Sequence, residues 1–250
     1  MSTAVQGKTV LVTGARGGIG QALVKAFLEA GAAQVIAADR SEPAQRSGDP
    51  RVRHLVLDVT NAQAAEQAAA ACDVDVIVNN AGANGNCGLF EGEADQARRE
   101  MEVNYFGVLN MARAFAPAMK KKRGGALVQV LSFAALSNIP AMGSYSASKA
   151  AARSLTQALR AELGLFGVQV VGVYPRVVDT AMSAHLPIAK TTPEDVAQAV
   201  LAALAAGQDE VYPGNAAAAH EAFLRDPAAV ERDNAKRLPR SSLAATEVEA

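Results

Sequence analysis

Short runs of hydrophobic residues alternate along this chain with longer stretches in which hydrophobic positions recur every three or four residues. The short runs are rich in Val, Ile, Leu and Ala, which is typical of strands covered on both faces of a sheet. Six of them predict strands, at 9–14, 34–39, 52–58, 74–80, 126–132 and 168–175. Four of the longer stretches predict helices, at 18–30, 61–71, 95–119 and 145–165. A further short strand is expected within 209–214, and Thr192 and Pro193 are expected to cap and begin another helix.

The regular alternation of strands and helices predicts an α/β protein, in which helices cover both faces of a doubly wound parallel sheet. No linker or internal repeat interrupts the pattern, and 250 residues suffice for one hydrophobic core. We therefore expect a single domain over residues 1–237, with a cofactor half at about 1–125 and a catalytic half at about 126–237. Residues 238–250 are expected to form a flexible tail.

Composition narrows the possible functions and locations. The net charge of −1 gives no general attraction to nucleic acid or to an anionic membrane. No uninterrupted hydrophobic run reaches the ~18 residues that a membrane-spanning helix needs, and no signal peptide is evident. Cys72 and Cys87 do not form a disulfide framework, so we expect a cytoplasmic protein. The three histidines have no partner at ligand spacing, and no metal site is expected.

The segment TGARGGIG joins the first predicted strand to the first predicted helix. Gly14 permits a tight turn there, whereas Gly18 and Gly20 keep side chains away from an incoming pyrophosphate. The free backbone N–H groups at the start of the helix attract anions. The segment therefore predicts a dinucleotide-binding loop, in which Arg16 and Ile19 also lie close to the cofactor.

Asp39 ends the second predicted strand, 19 residues after Gly20. A carboxylate at this point accepts hydrogen bonds from the adenosine ribose and repels a 2′-phosphate, which favours NAD. Arg16 and Arg40 have the opposite effect because either can bind a phosphate, so NADP remains the alternative.

Asp58 and Val59 follow the third predicted strand and are placed to flank the adenine ring. The same spacing also suits an aspartate that stabilises a turn ahead of Asn61. Both interpretations stay open at this point.

The segment YSASK places Tyr145 and Lys149 four residues apart, on one face of a predicted helix. A phenol with a pKa of about 10 is a poor base at neutral pH. A nearby ammonium group stabilises the phenolate, so the pair is expected to lower the pKa of the tyrosine toward the working range. A YxxxK pair also arises by chance in such chains, so this motif alone does not establish catalysis.

Taken in order along the chain, the motifs resemble those of the short-chain dehydrogenase/reductase family. The resemblance covers residues 9–180 and rests on TGARGGIG, NNAG, Val103-Asn104, Ser132, YSASK and YPRVVDT. It implies a Rossmann-like fold and an enzyme that interconverts a secondary alcohol and a ketone or aldehyde by hydride transfer with NAD or NADP. The alternatives are an NADPH-dependent carbonyl reductase and a dinucleotide-binding sensor without turnover.

The resemblance also assigns roles to four catalytic residues. It makes Tyr145 the general acid and base, and Lys149 a partner that also holds the nicotinamide ribose. Ser132 would hydrogen-bond the substrate oxygen, and Asn104 would anchor a water of the proton relay.

Further residues are expected to contact the dinucleotide. Asn80, Ala81 and Gly82 would pass along the cofactor, and Val178 and Thr180 would contact the nicotinamide carboxamide. Asn79 is expected instead to tie strand ends together.

Two departures from the family pattern bear on specificity and assembly. Arg176 replaces the usual glycine, and it is either a surface residue or a ligand for cofactor phosphates or an anionic substrate group. The usual glycine-rich C-terminal segment is absent, so we expect a homodimer built on residues 104–119 and 146–165, with a tetramer as the alternative.

The substrate is expected to be a small molecule, a mainly hydrophobic ketone or secondary alcohol. The segments expected to line its pocket are 84–89, 133–142 and 181–188, and their apolar members are Phe133, Ile139, Met142, Met182 and Leu186.

Overall fold

In a computed structural model of the protein, which describes residues 4–90, 93 and 95–236, seven parallel strands form one sheet with helices on both faces. The strands are Thr9–Thr13 (β1), Gln34–Asp39 (β2), Val52–Val56 (β3), Val76–Asn79 (β4), Ala126–Val130 (β5), Gln169–Val173 (β6) and Glu210–Val211 (β7). Their order in the sheet is β3-β2-β1-β4-β5-β6-β7. This confirms the predicted Rossmann-like single domain, and the predicted tail at 238–250 lies outside the described residues.

The helices are Gly18–Glu29 (α1), Ala62–Ala71 (α2), Gln96–Met101 (α3), Gly107–Lys122 (α4), Gly143–Gly164 (α5), Pro193–Ala206 (α6), Ala216–Arg225 (α7) and Pro227–Ala235 (α8). Within the described part of the chain, none of them combines the length and the apolar character needed to cross a membrane.

Side chains that alternate along each strand divide the core between the two faces of the sheet. Val10 and Val12 of β1 pack on the side of α1 and α6, whereas Leu11 between them packs on the side of α2, α4 and α5. Because both faces of the central strands are covered, the sequences of these strands are nearly continuous runs of hydrophobic residues. The edge strand β3 departs from this expectation, and Val56 at its end is 51% exposed.

The strand order reverses direction between β1 and β4, and this is where sheets of this type bind ligands. The carboxyl ends of the two strands are tied together by Thr13 and Asn80. The Thr13 hydroxyl accepts hydrogen bonds from the N–H groups of Asn80 (3.0 Å) and Ala81 (3.1 Å). The Asn80 amide donates to the carbonyl oxygens of Thr13 (2.9 Å) and Gly14 (3.1 Å).

The helix predicted over 95–119 is longer and less regular than expected. A π-helical turn, Glu102–Phe106, separates α3 from α4. Asn104 lies inside this turn and is 1% exposed. Single π-helical turns of this kind occur frequently at functional sites.

Candidate active site

Ser132 and Tyr145 form the centre of the site at the carboxyl edge of the sheet. Ser132 follows β5, and Tyr145 lies in the first turn of α5. The Ser132 hydroxyl acts on the Tyr145 phenol and lowers its pKa. The Ser132 oxygen also accepts from the N–H of Ala134 at 3.2 Å, which fixes the serine side chain. The structure therefore brings together two hydroxyl groups that the sequence places thirteen positions apart.

The environment of Tyr145 differs from the sequence expectation. The pKa of Tyr145 is raised to about 12, chiefly because burial disfavours the phenolate. The Ser132 hydroxyl lowers the pKa of the phenol, and the negative charge of Glu100 raises it. The prediction that Lys149 brings this pKa toward neutrality is therefore wrong for the protein alone, in which the phenol is protonated at neutral pH.

Lys149 is buried behind Tyr145 on the same helix and is 5% exposed. Its Nζ donates a hydrogen bond to the carbonyl oxygen of Val130 (2.9 Å) and lies 5.8 Å from the centroid of the tyrosine ring. Burial lowers the pKa of this ammonium group to about 8. The predicted pair thus shares one helical face, but the amine is bound to the end of β5.

Asn104 connects the segment after β4 to the turn of α5 that carries Tyr145. Its Nδ2 donates to the Ala83 carbonyl and to the Ser148 hydroxyl, both at 2.9 Å, and its Oδ1 accepts from the Ala83 N–H at 3.0 Å. Ser148 in turn donates to the carbonyl of Tyr145 at 2.7 Å. Since both amide hydrogens of Asn104 are engaged, a relay water would have to donate to Oδ1.

The glycines between β1 and α1 leave no room for side chains. Gly14 has a φ of +62°, and a Cβ at this position would lie 2.9 Å from the Cα of Ala81. A Cβ at Gly20 would lie 2.2 Å from the carbonyl oxygen of Gly14, and one at Gly18 would lie 2.7 Å from Cγ2 of Thr180. These close approaches bring the ends of β1 and β4 and the segment after β6 to one place.

The first turn of α1 presents its backbone N–H groups without a side-chain cap. Gly17 occupies the capping position and contributes no side-chain hydrogen bond. Ile19, half-buried in the first turn, packs against the core instead. The loop therefore has the bare backbone that a pyrophosphate group requires.

A carboxylate and two guanidinium groups come from the residues at the ends of β1 and β2. Asp39 Oδ2 accepts a hydrogen bond from the backbone N–H of Arg16 at 3.2 Å. The Arg16 side chain is hydrogen-bonded to the Ser41 hydroxyl, and Arg40 is exposed. Arg16, Asp39 and Ser41 line a small cleft together with His54, and this cleft can receive either ribose hydroxyls or a phosphate.

Asp58 and Val59 are both engaged within the protein. Asp58 Oδ1 accepts from the Thr60 N–H (2.9 Å) and hydroxyl (2.7 Å), and Asn61 caps α2 through Ala64 (3.1 Å). The turn interpretation of Asp58 is therefore the one that its contacts match. Val59 is buried against α4, and contact of either residue with adenine stays a prediction.

The role expected for Asn79 is taken by Asn80, whose contact with the cofactor stays a prediction. Asn80, not Asn79, ties the strand ends together, because the alternation along β4 directs Asn79 into the sheet face. Asn79 is 4% exposed, and its amide has no hydrogen-bond partner among the described residues. Gly82 lies close to the site, since a Cβ there would be 3.3 Å from Asn104 Oδ1 and 3.6 Å from Lys149 Nζ.

The segment after β6 returns to the glycine loop. Val178 is buried and forms an isolated parallel bridge with Thr191. Thr180, two residues later, faces Gly18 and precedes the short helix Ala181–Ser183. Thr180 thus lies against the glycine loop, whereas the Val178 side chain belongs to the core. Contact of either residue with the nicotinamide carboxamide stays a prediction.

Apolar side chains surround the opening next to Tyr145. Phe133 is buried, and the Arg176 guanidinium lies 5.8 Å from the centroid of its ring. Arg176 is half-buried, and its binding to cofactor phosphates or to an anionic substrate group stays a prediction. Exposed large apolar side chains occur on the two flanking segments, at Leu89, Phe90, Met182 and Ile188.

Three residues that organise the site were not predicted from the sequence. Thr13 ties β1 to β4, and Ser148 links Asn104 to Tyr145. Glu100 is 1% exposed and acts electrostatically on Tyr145. A signal for Glu100 existed, because it precedes Asn104 by four positions and so belongs to the buried stripe of that helix. No group of three His, Cys, Asp or Glu in the part of the chain described here can hold a metal ion.

Comparison with known proteins places this site in context. The short chain dehydrogenase family model matches residues 8–190. A 3-ketodihydrosphingosine reductase of Bacteroides thetaiotaomicron is 33% identical over 207 residues, which are 80% of this chain and 76% of that protein.

Two solved structures show the same fold. A short chain dehydrogenase of Burkholderia cenocepacia, solved in complex with NADP, is 42% identical, with a TM-score of 0.88 and coverage of 92% of this chain and 98% of that one. A 3-ketoacyl-(acyl-carrier-protein) reductase of Brucella melitensis, complexed with NADH, is 26% identical, with a TM-score of 0.75 and coverage of 80% and 91%.

Proposed function

The chain belongs to the short chain dehydrogenase family, and on that premise we propose that it is an NAD(P)-dependent oxidoreductase that interconverts a ketone and a secondary alcohol. The observation that carries this proposal is the juxtaposition of Ser132 and Tyr145, whose hydroxyl groups interact, with Lys149 buried on the same helical face as Tyr145. A non-catalytic sensor has no use for such an arrangement.

The dinucleotide fits the residues at the carboxyl edge of the sheet. Gly14, Gly18 and Gly20 form a cradle that side chains would fill, and the N–H groups of α1 lack a side-chain cap. When bound, the nicotinamide supplies or accepts the hydride. Gly82 and Lys149 would lie on the ribose side of that group, and Thr180 near the pyrophosphate.

The protein's own residues would handle the proton. Ser132 and Tyr145 both direct O–H groups at the position of a substrate carbonyl oxygen, so they orient the ketone and polarise it. Tyr145 then donates its phenolic proton to that oxygen during reduction, and takes it back during oxidation. Lys149 and Asn104 would fix the position of the phenol indirectly, because both bind α5 or its neighbours: Lys149 bonds the Val130 carbonyl, and Asn104 bonds Ser148.

The choice between NAD and NADP rests on the cleft at Asp39. The free carboxylate oxygen of Asp39 favours ribose hydroxyls and hence NAD, whereas Arg16 and Arg40 offer charge to a 2′-phosphate. Titration with NADH and NADPH measures the preference directly. If Arg16 serves a 2′-phosphate, Arg16→Ala weakens NADPH binding about tenfold and leaves NADH binding unchanged.

We further propose a substrate with an apolar substituent. Phe133 and the exposed apolar side chains on the flanking segments support this, and two of the similar proteins are a 3-ketodihydrosphingosine reductase and a 3-ketoacyl-(acyl-carrier-protein) reductase. A panel of ketones that differ only in chain length tests the idea, and a kcat/KM that does not rise with chain length contradicts it.

The test of the reaction itself is Tyr145→Phe, which removes only the proton donor. Turnover should fall by at least about a hundredfold while dinucleotide affinity stays close to wild type. Substantial activity in this variant contradicts the mechanism. Dinucleotide binding by the wild type without turnover on a broad panel of ketones and alcohols favours the sensor.

For assembly and location we propose a cytoplasmic homodimer. Both cysteines are unpaired, which fits a reducing compartment. The outer faces of α4 and α5 carry small side chains, and Phe106 next to them is 41% exposed. Sedimentation at twice the chain mass of 25.8 kDa is the expected result.

A further inference from the structure

The segment 83–89 forms a wall beside the catalytic tyrosine. It leaves β4, is held at Ala83 by Asn104, and reaches the start of α5 at its far end. There a Cβ on Gly143 would lie 2.8 Å from the side chain of Leu89. Asn84 Nδ2 also contacts the sulfur of Met142 at 3.9 Å. The segment therefore spans from the sheet to the helix that carries Tyr145, on the side where substrate enters.

Glu100 holds the middle of this segment. Its Oε1 accepts a hydrogen bond from the backbone N–H of Gly85 at 2.7 Å and from Nε2 of Gln96 at 3.0 Å. A Cβ at Gly85 would lie 2.4 Å from the Gln96 side chain, so the backbone rests directly on α3. Gly85 is thus clamped onto the helix by the carboxylate and by close packing.

The burial of the Glu100 carboxylate lowers the stability of the folded protein, which a purely structural role does not explain. The residue is 1% exposed, and its Oε2 has no hydrogen-bond partner among the described residues. A buried carboxylate that lacks a full set of partners destabilises a protein. A glutamine at this position would keep an acceptor for Gly85 without burying a charge, which points to a functional reason for the acid.

Glu100 and Asn104 act on the same segment from one helical face. They are four residues apart and bind Gly85 and Ala83, which are two residues apart. We propose that Glu100 is a positioning residue of the proposed reaction: it fixes the segment 83–89 as the substrate-facing wall and places a negative charge beside Tyr145. This inference rests on the proposed function, because a wall for substrate presupposes turnover.

The charge has a second consequence for the same reaction. Two charged side chains act on Tyr145: the Lys149 ammonium on α5 lies 5.8 Å from the centroid of its ring, and the Glu100 carboxylate on α3 contributes negative charge while it holds Gly85. The negative charge of Glu100 raises the pKa of the phenol, which keeps the proton available for a carbonyl oxygen. The effect of Glu100 on the position of segment 83–89 and the effect of its charge on Tyr145 can be tested by different substitutions.

Two conservative variants of Glu100 test the positioning effect and the charge effect separately. Glu100→Asp keeps the charge but is one methylene too short to reach Gly85, so KM for the ketone should rise about tenfold with little change in kcat. Glu100→Gln keeps an acceptor for Gly85 but removes the charge, so KM should stay within twofold of wild type. In this variant the pH dependence of alcohol oxidation should move to lower pH by roughly half a unit or more. The matched controls are Glu102→Asp and Glu102→Gln, at an exposed glutamate two residues further along the chain, where the π-helical turn begins.

Amide hydrogen exchange provides a readout that does not require turnover. In Glu100→Asp the exchange of Gly85 and its neighbours should accelerate about tenfold, whereas Glu100→Gln and the controls should match wild type. The proposal is overturned if Glu100→Asp changes neither KM nor exchange by more than twofold, or if Glu100→Gln leaves the pH dependence of oxidation unshifted. An inactive wild type with the expected exchange pattern contradicts the proposed function while leaving the clamp of Gly85 in place.

Discussion

The buried charge of Lys149 should lower the free energy of unfolding of the protein. The variant Lys149→Met tests this prediction. Burial lowers the pKa of this lysine from 10.5 to about 8. Below pH 8 the amine is charged in both the folded and the unfolded chain, so the folded state bears the full cost of burying the charge. That difference in pKa corresponds to about 3 kcal/mol of lost stability.

The sign and the pH window follow from the same values. As pH rises from 8 to 10.5, the folded protein loses the proton before the unfolded chain does, and the penalty disappears. Methionine removes the charge at every pH but also removes the donor to the Val130 carbonyl, a loss of about 1 kcal/mol. The variant should therefore be more stable than wild type by about 2 kcal/mol at pH 7, or about 4–8 °C in Tm.

Urea denaturation between pH 7 and pH 10 measures the effect. The advantage of Lys149→Met should shrink as the pH rises and approach zero or change sign near pH 10, while its catalytic activity is lost throughout. Lys8→Met, at an exposed lysine, is the matched control and should show no such trend. A variant that is less stable than wild type at pH 7, or a difference that does not depend on pH, refutes the reasoning.

Three further predictions concern cofactor, substrate and assembly. Gly18→Ala places a Cβ 2.7 Å from Cγ2 of Thr180, so the Kd for the dinucleotide should rise about tenfold in a fluorescence titration; an unchanged Kd contradicts the proposed cradle. Arg176→Gly removes the cation over Phe133 and should raise KM for the substrate while the Kd for the dinucleotide stays constant; unchanged Michaelis constants for both would mean that Arg176 binds neither. Phe106→Asp places a charge on an exposed apolar position and should shift the sedimenting mass from dimer to monomer, whereas a wild type that is already monomeric refutes both dimer and tetramer.

Much of the site was predictable because its signals are local in sequence. The glycines of TGARGGIG share one turn, and Tyr145 and Lys149 share one helical face. Such spacings fix geometry without knowledge of the rest of the fold. The strand and helix pattern likewise predicted the parallel sheet, since each element carries its own period of hydrophobic residues.

The remaining features depend on contacts between distant segments. Whether Asn79 or Asn80 ties the strand ends is decided by where β4 ends, which a hydrophobic run leaves uncertain by a residue. The π-helical turn around Asn104 changes which residues share a face, and it has no compositional signature. The pKa of Tyr145 is set by burial under segments far away in the sequence, so a pairwise argument from Lys149 gave the wrong direction.

The raised pKa of Tyr145 bears on the direction of the reaction. Reduction needs a protonated phenol, and burial together with Glu100 supplies one at neutral pH. Oxidation needs the phenolate, which high pH favours and which the Lys149 ammonium stabilises from 5.8 Å. Lys149 itself loses its proton above its pKa of about 8. A rise in pH therefore favours the phenolate but removes the ammonium charge that stabilises it. Without bound reactants, the protein therefore favours donation of a proton to a carbonyl. For alcohol oxidation, the bound cofactor and substrate must supply the additional stabilisation of the phenolate.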